Sequence, residues 1–128
     1  MSKAVKLYFD GGCRPNPGPI ETMVAARGQT YHGADIGQGD NNDAEWEALL
    51  AALAVAQTLG LSEIVLIGDS ALVVGQARGT ARCGAPRFVD YLARFDAAAA
   101  QFASVRVRQV ARSHNLAGIA LERLRAGV

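Results

Sequence analysis

The chain has 128 residues and a net charge of +1, with half its residues apolar and a fifth charged. That length supports a single domain, residues 1–128, with its own core, and no apolar run approaches the roughly 18 residues of a membrane span. Two cysteines, Cys13 and Cys83, make neither a disulfide framework nor a zinc pattern, and the opening MSKAVKLYFD lacks the apolar stretch of a secretory signal, so a cytoplasmic, reduced protein is expected.

Val5, Leu7 and Phe9 alternate with Lys6, Tyr8 and Asp10, which predicts a strand over residues 4–10 that stops on a carboxylate. Pro15, Pro17, Gly18 and Pro19 then form a loop that no helix or central strand would hold. Residues 21–27 and 29–36 read as two more strands, broken at Arg27-Gly28, and together with the first suggest an antiparallel meander. A polar loop over 37–42 leads to a helix over 43–58 that is apolar nearly all round and therefore well buried, with Gly60 ending it. Ile64 to Ile67 run without alternation, as in a central strand covered on both faces. Asp69 and Ser70 close that strand and are placed to cap a short helix over 71–78. After a loop over 79–85 comes an alanine-rich helix over 86–102 with Pro86 near its first turn, then a strand in which Val105 and Val107 alternate with Arg106 and Arg108, then a final helix over 115–125. The order β-β-β-α-β-α-α-β-α argues for an α/β fold with a five-stranded mixed sheet flanked by helices.

Charge is unevenly spread. Before Asp69 stand four basic residues (Lys3, Lys6, Arg14, Arg27) against eight acidic ones; from Asp69 onward there are nine arginines and four acids. Such a split is compatible with a nucleic-acid partner, and equally with two differently solvated faces.

Asp10 and Asp69 both stand at the carboxyl ends of expected strands, the edge of an open α/β sheet where ligands bind. Glu45 opens the buried helix in line with Leu49, Ala52, Leu53 and Ala56. Carboxylates converging there would repel one another unless cations sat among them, and hard oxygen donors favour Mg²⁺ or Mn²⁺ over zinc. Each also has an ordinary role: Asp10 as the start of a turn, Asp69 as an N-cap, Glu45 as a partner for the helix dipole. Spacing alone does not separate Glu45 from Glu47, since both lead into apolar rows.

The chain resembles the type 1 ribonucleases H. Those enzymes carry a strand ending in D-G-[SG]-C-x-x-N-P-G-P, and residues 10–19 read DGGCRPNPGP. They next carry N-N-x-x-E opening a helix, matched by Asn41, Asn42 and Glu45, and then an apolar strand ending in D-S, matched by Asp69 and Ser70. The blocks fall in the family's order over nearly the whole chain, and they select Glu45 over Glu47. The resemblance implies a ribonuclease H-like fold and cleavage of the RNA strand of an RNA/DNA hybrid with two Mg²⁺ (or Mn²⁺) ions on Asp10, Glu45 and Asp69, in-line attack by water, and a product that keeps its 5′-phosphate. Cys13, Asn16, Asn41 and Asn42 match positions that in the family touch the hybrid in its minor groove, where an Asn amide suits 2′-hydroxyls and base edges. Asn42 in that place also suits an N-cap, and Cys13 a small half-buried residue. A monomer with no protein partner is expected.

Three departures from the family pattern stand out. Its last helix opens with R-x-x-N-x-x-A-D; here Arg112 and Asn115 align, but Ile119 falls where the aspartate belongs. Asn115 as a neutral oxygen ligand, Glu122 from the next turn, or a water can fill that corner, and Asn115 also suits the N-cap of the last helix. His114 lies near a loop histidine that in several members assists proton transfer or product release. Asp40 stands where the family often has Thr or Ser for a DNA-strand phosphate, and a carboxylate there repels phosphate. A basic insertion that grips the hybrid in some members is missing, and Arg78, Arg82, Arg87 and Arg94 are candidates to substitute for it. The readings that remain are a hybrid-cleaving endonuclease, a hybrid- or double-stranded-RNA-binding module with weakened catalysis, and a related nuclease with another substrate.

Overall fold

A computed structural model describes residues 3–127. Its sheet runs β3-β2-β1-β5-β6, from strands β1 (Val5–Cys13), β2 (Gly18–Ala26), β3 (Gln29–Gly33), β5 (Glu63–Gly68) and β6 (Ser104–Gln109); a two-residue strand β4 (Gln38–Gly39) pairs with β2 off this path. The first three strands form the expected antiparallel meander, and β5 and β6 add parallel to β1. Arg27 and Gly28 both adopt positive φ, 54° and 76°, the geometry that a tight two-residue hairpin requires. The five expected strands are therefore present, with β4 as a short addition.

Boundaries moved where backbone found partners that periodicity does not reveal. β1 does not stop at Asp10: Gly11, Gly12 and Cys13 continue the ladder against Thr22, Glu21 and Ile20, which draws the start of β2 back to Gly18. On its other side β1 pairs with β5 only as far as Tyr8 opposite Ile67. Asp10 thus lies inside a strand, two residues past the point where the parallel pairing ends and the sheet opens. β3 stops at Gly33 instead of 36.

Helix α1 (Asn41–Thr58) begins two residues earlier than expected because Asp40, not Asn42, is its N-cap. The Asp40 carboxylate accepts from the amides of Asn42 and Asp43 at 2.9 and 3.0 Å, and Asp43 returns a bond to the Asp40 amide at 2.9 Å, a reciprocal cap. Helix α2 (Ala71–Arg78) is capped by Ser70, whose hydroxyl accepts from Val73, and ends on Gly79 at φ 82°. Helix α3 (Pro86–Ala99) stops short of the expected 102, and α4 (Leu116–Arg125) follows a 3₁₀ turn at Arg112–His114.

The helices lie on two sides of the sheet. Leu7, Phe9, Val24, Ile64, Leu66 and Val107 pack with α1, α2 and α3 into the main core. On the opposite face Met23 and Ala25 meet Ala117 and Leu121 of α4. Trp46 anchors the first core, with its ring stacked on Tyr91 (5.8 Å between centroids) and edge-on to Phe95 (6.2 Å). Its indole N–H donates to Gln76 at 2.7 Å, and the Gln76 amide donates in turn to the Arg82 carbonyl at 3.0 Å, so a buried amide is fully satisfied. Among the described residues no helix is long and apolar enough to cross a membrane.

Replacing Gln76 with Leu would leave the Trp46 N–H and the Arg82 carbonyl unpaired. We expect Gln76→Leu to cost ~2 kcal/mol, seen in thermal denaturation as a midpoint lower by roughly 8 °C.

Candidate active site

Three carboxylates reach the open edge of the sheet from three elements. Asp10 projects from β1 on the α4 side, Asp69 follows β5, and Glu45 comes from the second turn of α1. One oxygen of each lies within 4.8 Å of the others. The approach of α1 is set by Gly11: a Cβ there would run into the Ala44 carbonyl, and the Gly11 amide donates to Glu45 Oε1 at 3.0 Å. Glu47, the other acid in this turn, turns away and pairs with Arg94.

The carboxylates are crowded and poorly hydrated. Asp10 is 4% exposed and Glu45 9%. Burial first, and the Asp69 charge second, push Asp10 up to about 6. Burial, then Asp10 and Asp69, push Glu45 up to about 9. Three such groups cannot all ionise together without positive charge among them. The donor set is all hard oxygen with no Cys or His, which fits a divalent ion of the Mg²⁺ or Mn²⁺ type.

The rest of the cleft, about 430 Å³, is lined by Gly12, Cys13, Arg14, Asn41, Asn42, Ser70, Arg112 and Arg125 beside Asp10 and Glu45. Cys13, Asn41 and Asn42, singled out in the sequence, line one side of it, while Asn16 does not line it and instead supports Asn41. The Asn41 side-chain oxygen accepts from the Cys13 amide at 2.9 Å, and Asn16 Oδ1 accepts from the Asn41 amide at 3.1 Å. The Cys13 thiol is turned inward and donates to the Gly39 carbonyl at 3.3 Å. Asn42 lines the cleft without being the helix cap.

At the opening of α4 the capping alternative for Asn115 is the one realised. Asn115 is the N-cap: its oxygen accepts from the Ala117 amide at 3.1 Å, while its amide nitrogen donates to Asp69 Oδ2 at 2.8 Å and to the Phe9 carbonyl at 3.0 Å. It therefore offers the carboxylates a donor, and its oxygen is taken up by the helix terminus rather than free for a metal. Ile119 turns to an apolar groove with Met23, Leu116 and Leu124, whereas a Cβ on Gly118 would lie 3.5 Å from Asp10 Oδ2. Glu122 is exposed and pairs with Arg112 at 3.5 Å; Arg112 Nη1 also stands 3.9 Å from Asp69. His114 is exposed on the 3₁₀ turn and does not line the cleft.

Arg87, proposed from the sequence as a substrate contact, instead bridges Asp40 and Asp43 at 2.9 and 2.8 Å and stacks on Phe88, and Arg94 is held by Glu47. The Asp40 charge is thereby countered. Arg112 and Arg125 were not singled out as site residues: the first is visible only as one letter of the R-x-x-N pattern, and the second carries no signal that separates it from the other late arginines.

A family description of Reverse transcriptase-like proteins matches residues 10–121. A protein named Ribonuclease HI from Halobacterium salinarum is 45% identical over 80 residues, 59% of this chain and 40% of that one, so the chain spans less than half the length of that relative. The crystal structure of RNase H1 from Halobacterium salinarum NRC-1 superposes with a TM-score of 0.85 at 32% identity, covering 98% of this chain and 100% of that one. The structure of LC11-RNase H1 in complex with an RNA/DNA hybrid superposes with a TM-score of 0.77 at 29% identity, covering 88% of each chain.

Asp10 and Glu45 hold protons more tightly folded than unfolded. The stability they contribute is complete below pH ~4 and is lost as pH rises through about 6 and then about 9. Without divalent ions the melting temperature is expected to fall across that range, millimolar Mn²⁺ to offset the fall, and Glu45→Gln to flatten it. Scanning fluorimetry against pH checks all three; a flat wild-type profile would contradict the crowding of charge.

Proposed function

The chain belongs to the ribonuclease H family, and on that premise we propose that it is an endonuclease hydrolysing the RNA strand of RNA/DNA hybrids with two divalent ions, Mg²⁺ or Mn²⁺, on Asp10, Glu45 and Asp69. The observation that carries the reading is the meeting of three carboxylates, Asp10 and Glu45 buried and Asp69 partly so, beside Asn41 and Asn42 at the carboxyl end of the sheet. Divalent ions bound there supply the charge that activates a water and stabilises the oxygens of an in-line phosphodiester displacement.

The chain's own residues have distinct tasks. Asp10, Glu45 and Asp69 would together hold the ions, with Asp10 the candidate ligand common to both. Gly11 N–H fixes the Glu45 carboxylate, and the Asn115 amide orients Asp69, so each presents a set face to the cleft. Arg112, close to Asp69 and exposed, neutralises charge on the incoming phosphate. Cys13, Asn16, Asn41 and Asn42 receive the minor groove, where the 2′-hydroxyl separates RNA from DNA. A hybrid-bound relative supports this substrate. His114, in the exposed turn before α4, moves a proton or helps product leave.

A second reading, a hybrid-binding module with weakened catalysis, is favoured by one observation: the residue aligned with the family's fourth acid is Ile119, and it faces an apolar groove. Turnover separates the two. With a labelled hybrid in Mg²⁺ or Mn²⁺ we expect multiple turnover and 5′-phosphate ends, reduced by at least about a hundredfold in Asp10→Asn. Binding without cleavage in the wild type would select the second reading instead.

A further inference from the structure

Among the described residues the side chain of Arg125, in the last turn of α4, makes a single hydrogen bond: its Nε donates to Glu21 Oε1 at 2.8 Å, with the side chain only 18% exposed. Glu21 is held from its other oxygen by His32 at 2.7 Å, so the clamp on Arg125 is itself fixed. The guanidinium lies next to Gly12, the residue opposite Glu21 in the ladder. A Cβ added to Gly12 would be 3.2 Å from Nη2, 3.6 Å from Nη1 and 3.8 Å from Asn41 Oδ1, so a glycine here makes room for the arginine beside the asparagine. Arg125 Nη2 is the one buried side-chain polar atom without a hydrogen-bond partner among the described residues. A buried donor left unpaired costs free energy and calls for an acceptor. No protein acceptor is offered, and the guanidinium lines the same cleft as Asp10, Asn41 and Asn42.

We propose that Arg125 is a substrate-binding residue that receives a backbone phosphate of the nucleic acid where it crosses Gly12 and Asn41. This rests on the nuclease reading above and adds a contact to it. The fork geometry suits a phosphate, since two N–H groups face two oxygens and little side-chain freedom is lost when the arm is already clamped. A role limited to holding α4 against β2 needs only the Nε bond to Glu21; it leaves the fork idle.

The test measures hybrid binding in the Asp10→Asn background, where binding is read without cleavage, over a series of NaCl concentrations. Arg125→Gln is expected to raise Kd about tenfold and to make the log K against log salt slope shallower by about 0.9. Arg125→Lys is expected to keep the slope while Kd rises about threefold, because a point charge replaces the fork. Arg123→Gln, exposed on the same helix and away from the cleft, is expected to change Kd by less than about twofold. Unchanged Kd and slope in Arg125→Gln, or an equal effect from Arg123→Gln, overturns the proposal, whatever happens to the melting temperature. If Arg125→Gln does not fold, the lysine variant decides: unchanged affinity overturns the proposal and weakened affinity at constant slope supports it. A native chain that neither binds nor cuts hybrid sinks the nuclease reading and this contact together; a chain that binds hybrid indifferently to Arg125 sinks this contact alone.

Discussion

Like charges held close in a dry cleft dominate this molecule. Asp10, Glu45 and Asp69 converge within 4.8 Å, two of them almost wholly buried, and the protein alone cannot keep all three ionised at neutral pH. Everything around them answers that repulsion: the Gly11 amide on Glu45, the Asn115 amide on Asp69, and the guanidiniums of Arg112 and Arg125 within reach of Asp10. Such an arrangement raises the energy of the empty site and so favours whatever brings positive charge into it. Stability is given up locally in exchange for affinity at the place where chemistry is to occur.

Helix α4 supplies most of that answer. Asn115, Gly118, Glu122 and Arg125 recur at helical spacing: a buried cap bonded to Asp69, a bare backbone against Asp10, an exposed partner for Arg112, and a guanidinium that lines the cleft beside Gly12. The helix offers donors and cations where the family's pattern places an acid. Whether ions or arginines carry more of the positive charge in the working site depends on this one helix.

The lopsided charge of the chain has a partly internal use. Arg87 pairs with Asp40 and Asp43, Arg94 with Glu47, Arg125 with Glu21 and Arg112 with Asp69. The pairs of Arg87, Arg94 and Arg125 join the basic half to acids of the other half, and that of Arg112 lies within the basic half. What looked like a nucleic-acid signature in one dimension is in good part a set of contacts that join the two halves, the cap of α1 among them. Only part of the basic excess is left for a polyanion.

The sequence by itself determined the strands, the helices and the identity of the three acids. A strand's alternation, a buried helix's apolar surround and a motif such as DGGCRPNPGP are local properties that survive without coordinates. The structure differs from the sequence reading at boundaries, with β1 continuing through Gly11 to Cys13 and Asp40 displacing Asn42 as the cap, and it chooses between open alternatives at Asn115, which caps α4 while its nitrogen donates to Asp69. Those outcomes depend on partners far along the chain, 46 residues away for Asn115 and Asp69 and 104 for Arg125 and Glu21. Only the tertiary structure decided them, because a hydrogen-bond donor chooses its acceptor by distance in space, and one arginine among eleven comes to line the cleft only when the fold lays it beside Gly12 and Asn41.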